Sequence, residues 1–302
     1  MGKTAILLIV TLIAVPLLAW LDTPLSPLQR EMLMEATLLM FFVAVLCFTV
    51  GELTGNVSQV DKLWSIVPVI YAWYLTARGG MDPRMVLMAL LATVWGVRLT
   101  YNFSRHGGYT WKFWEGHEDY RWEHVRKMPG LDNPVAWRLF HFFFICLYQN
   151  ALLLAIVLPI VLCQHAVNPL DGWDFLLALL LLALVALETL ADQQQWDFQA
   201  EKKRRIAAGI APDGRYADGF ISDGLWAFSR HPNYLAEQSI WVVFFLFSLN
   251  ATGRLNWTIA GCLLLILLFQ GSSNMSENLQ SQKYPRYVDY QSRVPRFIPR
   301  FR

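Results

Sequence analysis

Residues 179–205 read LLLLALVALETLADQQQWDFQAEKKRR. The stretch opens on Leu, Ala and Val alone, meets Glu188 and Asp192 with no turn residue between, and closes on Lys202, Lys203, Arg204 and Arg205. Continued upstream to residue 172, the apolar part has the length and composition of a membrane-crossing helix, which needs roughly 20 residues. Glu188 and Asp192 are one helical turn apart and share a face. An ionisable side chain at membrane depth is costly enough that pairing or function is expected of it. The alternative is that both acids sit among lipid headgroups and only end the helix.

The whole chain agrees with this stretch. Its 302 residues are 55% hydrophobic, 14% aromatic and only 16% charged, outside the range of soluble domains. Apolar runs lie near 4–21, 33–51, 63–77, 85–103, 137–163, 172–190, 235–250 and 255–271. The expected fold is therefore all-α, a polytopic integral membrane bundle of about eight helices, with seven to ten compatible with the pattern. Residues 1–54 read as N-terminal membrane helices and 55–302 as one membrane domain. Threading the runs with the N-terminus inside gathers Lys3, Lys62, the loops 104–136 and 191–234 and the tail after 271 on one side, with most of the 25 Lys and Arg residues. By the positive-inside rule that side is cytoplasmic, with both termini on it. Lys3 ahead of an apolar run imitates a signal peptide, but AVPLLAWLDTP offers no clear small-x-small cleavage site, so the run reads as a retained anchor. A bacterial inner membrane is the expected location.

Cys47, Cys146, Cys163 and Cys262 fall in or beside apolar runs without metal-ligand spacing, and read as lipid-facing or core thiols. No Gly-rich phosphate loop, nucleophile elbow or CxxC is present. A net charge of +2 gives no reason to expect a nucleic acid partner, and nothing in the chain indicates an oligomeric state. Polar chemistry is concentrated in the long loops and the tail. Segment 104–130, SRHGGYTWKFWEGHEDYRWEHVRKMPG, has the aromatic and charged mixture of a membrane interface. In 229–238, SRHPNYLAEQ, Pro232 suits the first turn of a helix, which places Arg230 and His231 just outside a helix N-terminus, where phosphate is well held. Asn233 and Glu237 follow on one face. Arg230 anchored to lipid phosphates, with Glu237 paired within the bundle, is the structural alternative. Tyr284, Tyr287, Tyr290 and Arg293 form a tail that either covers a nucleotide or lies on anionic lipid.

The segment GLWAFSRHPNYLAEQSIW (224–241) resembles the C-terminal signature of the steroid 5-alpha reductase-like membrane proteins, in particular their bacterial branch. WGVRL (95–99), EDYRW (118–122), LADQQQWDF (190–198) and YPRYVDYQSRVPRFIP (284–299) extend the resemblance over about residues 55–300. It implies a helical membrane fold that holds NADPH in a cytoplasm-facing cavity and passes hydride to an activated carbon–carbon double bond of a lipid or steroid-like substrate. By position the resemblance places the family's Asn and Glu on Asn233 and Glu237 and its acidic residue on Asp192; Arg230 and His231 at the helix start, with Tyr287, Tyr290 and Arg293 from the tail, are the further residues expected in the nucleotide pocket. This chain departs from the family pattern at DGFISDGLW (218–226), which lacks the expected Tyr-Arg pair; Arg215 and Tyr216 stand nearby. Glu52 and Tyr71 are the candidates for polarising a substrate carbonyl, which needs donors aimed at the oxygen where charge develops. Asp61 and Trp64 in QVDKLWS follow the bacterial branch, so a steroid is not implied.

R-H-P-x-Y at a helix start, followed by a Glu and a Tyr-rich, Pro-rich end, is similar also to isoprenylcysteine and phospholipid methyltransferases. That resemblance implies S-adenosylmethionine as the cofactor. A third reading keeps the fold for lipid binding without catalysis.

Overall fold

Serine and proline decide where the first described long helix begins. Ser26 Oγ accepts from the Gln29 N–H while the Gln29 side chain accepts from Ser26 N, a reciprocal cap, and Pro27 fills the first turn. The resulting helix, α1, runs Pro27–Thr54 and stops at Gly55, in the left-handed region at φ 69°. The computed structural model describes residues 25–112, 118–164 and 166–299, together with Leu17. Beyond α1 its helices are α2 (Gln59–Leu63), α3 (Val67–Arg78), α4 (Pro83–Arg105), α5 (Tyr120–Arg126), α6 (Pro134–Cys163), α7 (Gly172–Ala207), α8 (Pro232–Thr252), α9 (Ile259–Lys283) and α10 (Tyr287–Arg293). No strand occurs among the described residues.

Six of these helices, α1, α4, α6, α7, α8 and α9, are long and apolar enough to cross a membrane. The chain is an all-α polytopic membrane protein. The expected first span, 4–21, lies outside the described residues except for Leu17. The expected third span, 63–77, needs correcting: α3 has 12 residues, about 18 Å at 1.5 Å per residue, against roughly 30 Å of hydrocarbon. Its apolar character has another cause, since Tyr71, Ala72 and Leu75 are wholly buried in protein. The expected seventh span, 235–250, gains length because its helix does start at Pro232 and spans 21 residues.

Two compact units divide the chain, one comprising Met1–Ala178 with Phe244–Leu264, the other Leu179–Val243 with Leu265–Arg302. The expected boundary at residue 54 falls at the end of α1, inside the first unit.

In the first unit α6 is almost entirely buried and packs against α1, α3 and α4. It is not a uniform α-helix. Residues His141–Tyr148 are π-helical, and Pro159, which lacks an N–H, interrupts the ladder after Ile156–Leu158. The Ala155 carbonyl, which a residue other than proline at 159 would engage, is covered by Gly261 of α9. A Cβ at 261 would come 2.3 Å from Ala155 O, so only glycine permits this approach. One end of the unit is tied by Arg84, which donates to both carboxylate oxygens of Asp174 (2.9 and 2.8 Å) and to the carbonyls of Asn168 and Pro169.

In the second unit the turn Gly224–Ala227 docks on α7. Gln194 Oε1 accepts from Leu225 N at 2.9 Å and the Ala191 carbonyl accepts from the Trp226 indole at 3.2 Å. Phe198, Ile221 and Trp226 bury one another there, and Phe220, Tyr287 and Tyr290 form a second cluster under α10.

Candidate functional site

Arg230 and His231 precede Pro232, as expected, but their side chains turn inward. Arg230 Nε and Nη2 donate to the two carboxylate oxygens of Glu277 (2.8 and 3.1 Å), and Nη1 donates to the carbonyls of Gln291 and Val294. His231 Nε2 is 3.0 Å from Glu277 Oε1. Gln291 and Arg296 complete the ring of donors on Glu277 at 3.0 and 3.2 Å. All guanidinium nitrogens of Arg230 thus have acceptors within the protein, and the arrangement differs from a basic pair open to phosphate. The cause is Glu277, 2% exposed on α9, since a buried carboxylate persists only when it is surrounded by donors and positive charge. The tail is pinned by the same knot: Arg230 N donates to Pro295 O at 2.9 Å and His231 N to Arg296 O at 3.1 Å.

Asp192 and Asn233 meet directly, Asn233 Nδ2 donating to Asp192 Oδ1 at 3.1 Å. This bond joins the acidic face of α7 to the first turn of α8. One turn further into the apolar part of each helix stand Glu188 and Glu237, each 4% exposed. Glu237 accepts from the Trp241 indole at 3.0 Å. Two i,i+4 pairs, Glu188 with Asp192 and Asn233 with Glu237, thus line adjoining helices of one unit with carboxylate and amide groups.

Tyr287 and Tyr290 are buried against Phe220, with ring centroids 5.0 and 5.4 Å away. The Tyr290 hydroxyl donates to the Trp226 carbonyl. Burial pushes the Tyr287 phenol up to about 12 and that of Tyr290 in the same direction. These tyrosines form the core of the tail rather than an open cover. Arg293 is exposed, its Nε donating to Asp289 O at 3.2 Å. Arg215 pairs with Asp223 at 2.9 Å and lies over the Tyr216 ring, which stacks on Phe198.

Glu52 and Tyr71 belong to the first unit. Glu52 accepts from Arg138 Nε at 3.0 Å and lies 2.9 Å from His141 Nδ1. Tyr71 is wholly buried and its hydroxyl has no hydrogen-bond partner. The QVDKLWS and EDYRW segments come together in the same unit: Val57 N donates to Glu118, Asp119 N to Ser58 Oγ and the Trp122 indole to Asp61, at 3.0, 2.9 and 3.0 Å. Burial raises the Asp61 carboxyl against the opposing pull of Arg121 and Trp122. The four cysteines are free and buried, core thiols rather than lipid-facing ones. No cluster of metal-ligating side chains occurs among the described residues.

Sequence reasoning passed over His141 and the role of Glu277. His141 was detectable as the one ionisable imidazole within an apolar run. The partner of Glu277 lies 47 residues away, a pairing with no local signature.

Residues 47–294 match the family model described as "Protein of unknown function (DUF1295)". The chain belongs to this family. The DUF1295 region takes in every candidate residue from Glu52 to Arg293. A relative is "Uncharacterized protein C594.04c" of the fission yeast Schizosaccharomyces pombe, 40% identical over 277 residues, covering 87% of this chain and 78% of the yeast protein. No solved structure matches the chain.

Proposed function

We propose that this DUF1295 protein is a membrane-embedded oxidoreductase that uses NADPH to reduce an activated carbon–carbon double bond in a lipid or steroid-like substrate. The observation that carries the reading is the Asp192–Asn233 bond, 3.1 Å long, with buried Glu188 and Glu237 one turn beyond it. Carboxylate and amide oxygens inside apolar helices are acceptors, and they fit the ribose hydroxyls and the carboxamide N–H of a nicotinamide nucleotide. The fit is to that uncharged part of the molecule. Arg230 and His231 contribute by holding Glu277 and the tail in position, and the phosphates fall to exposed cations such as Arg293. When bound, the nucleotide supplies hydride. In the first unit Tyr71 and Glu52 serve the substrate oxygen. The resemblance of 224–241 to steroid 5-alpha reductase-like proteins supports the same assignment, with the basic loops and tail on the cytoplasmic side.

One observation favours a second reading. With Arg230 held by Glu277, the three carboxylates of Glu188, Asp192 and Glu237 on α7 and α8 suit the ammonium and sulfonium groups of S-adenosylmethionine, the donor of a membrane methyltransferase. Replacing Glu237 with Gln and Asp192 with Asn separates a ligand site from a structural one. The reductase reading expects NADPH to bind each folded variant tenfold or more weakly, about the effect of losing a hydrogen bond to a charged acceptor. Unchanged affinity per folded molecule, with lowered stability, would reject it.

A further inference from the structure

Counting residues along α7, α8 and α9 puts one edge of the membrane at a defined height. Roughly 20 helical residues cross the hydrocarbon. α7, entering at Gly172, therefore leaves near Ala191; α9, entering at Ile259, leaves near Glu277; and the 21 residues of α8 reach from one edge at Thr252 to the other at Pro232. The Asn233–Asp192 and Arg230–Glu277 bonds join these same levels, so the three counts agree. At this height the C-terminal tail returns to the bundle. Ser229 Oγ and His231 N both donate to the Arg296 carbonyl at 3.1 Å, and Arg230 N donates to Pro295 O at 2.9 Å. Phe297 stands against the His231 ring, with centroids 6.0 Å apart. Residues 295–298 are thereby fixed where headgroups meet acyl chains.

What the chain turns outward at this height is apolar and cationic. Phe228, one residue before Ser229, is 58% exposed, and Ile298, two residues after Arg296, is 75% exposed. Neither contributes to the protein's own core. Tyr287 and Tyr290 face the other way, buried against Phe220. Over 284–302 the charged side chains are Arg286, Arg293, Arg296, Arg300 and Arg302 against Asp289 alone. We propose that this tail docks on anionic phospholipid of the protein's own membrane, with Phe228 and Ile298 entering the boundary between headgroups and acyl chains and the arginines facing the phosphates. Arg296 positions the segment, since it is held by Asn274 and Glu277 at 2.6 and 3.2 Å, and the other arginines supply the lipid-facing charge. A zwitterionic headgroup offers the same phosphate but cancels its charge with its own ammonium, so the excess of arginine favours an anionic one. The height of Phe228 and Ile298, at the hydrocarbon edge, selects a lipid surface over a soluble acidic partner.

Quenching by lipid tests the docking. The full chain carrying Ile298→Cys or Phe228→Cys is labelled with an apolar fluorophore, which the four buried native thiols do not take up. It is then placed in vesicles of phosphatidylcholine alone or of phosphatidylcholine with phosphatidylglycerol, each containing lipid brominated near the headgroup. Ile206→Cys is the control, because Ile206 is exposed and lies about 22 Å beyond the membrane edge along α7. Docking predicts quenching at 298 and 228 that is about twofold or more stronger with phosphatidylglycerol, a difference that high salt removes, and no quenching at 206. The two labelled positions belong to separate segments on either side of the Ser229–Arg296 bond, so either one decides if the other variant fails to fold. Equal quenching in the two kinds of vesicle, no quenching at 298 and 228, or quenching at 206 as strong as at 298 overturns the proposal.

Discussion

Glu277 accepts hydrogen bonds from Arg230, His231, Gln291 and Arg296, and its replacement leaves the buried Arg230 guanidinium without its counter-charge. Glu277→Ala is expected to lower stability by about 3 kcal/mol or more, seen as a depressed melting temperature, and to free the tail to proteases after residue 283. An unaltered melting temperature would show that the knot contributes nothing. Tyr287 adds a pH-dependent part to the same region. Its folded pKa, pushed up to about 12, lies above the ordinary value of about 10. The associated stability is thus complete below pH 10 and is lost as pH rises towards 12. Tyr287→Phe removes that alkaline loss, and thermal melts of the two proteins across this range read it directly. At this scale the sequence was informative about residue types and silent about partners. SRHPNYLAEQ announced the start of α8, and Glu188 and Asp192 stood out against hydrocarbon. That Arg230 is engaged by Glu277 depends on α9 returning to the start of α8, which no spacing along the chain encodes.

The long helices were legible as apolar runs of spanning length; three of them also carry a local start signal, Ser26 with Pro27, Asp82 with Pro83 and Asn133 with Pro134. The short α3 was misread because burial in protein and burial in lipid select the same side chains. The length of α7 was also hidden. It continues for 36 residues to Ala207, about 54 Å, with Glu201 paired to Arg204 and Arg205 where the apolar run has already ended. The π-helical stretch and the Pro159 break in α6 left only a proline as a trace. Two predictions belong to these elements. Asn133→Ala removes the cap of α6, whose Oδ1 accepts from Val135 N at 2.8 Å, and costs about 1 kcal/mol in chemical or thermal denaturation. Gly261→Ala drives a Cβ against the Ala155 carbonyl and costs about 1–3 kcal/mol; a variant as stable as the parent would contradict the close approach of α9 to α6.

Composition alone placed the whole molecule in a membrane, whereas the two compact units were not readable from it. Their boundaries fall inside α7, α8 and α9, where the sequence shows no linker. Three of the six membrane-length helices, α7, α8 and α9, separate Val167 from Ser292, so these two exposed positions lie on opposite faces of the bilayer if all three cross it. Because the four native thiols are buried, Val167→Cys and Ser292→Cys can be labelled selectively in sealed vesicles, and labelling of both from one face would contradict the crossing pattern. The claim on which the functional account rests is that the acidic and amide groups of α7 and α8 receive a nicotinamide nucleotide. The direct test is the melting temperature of the purified full chain in mild detergent, titrated in parallel with NADPH, NADH and S-adenosylmethionine, since a ligand that binds the folded state raises it by mass action. The account predicts a saturable rise with NADPH that Glu237→Gln weakens. A rise with S-adenosylmethionine alone would contradict the reductase and make α7 and α8 the walls of a methyl-donor site.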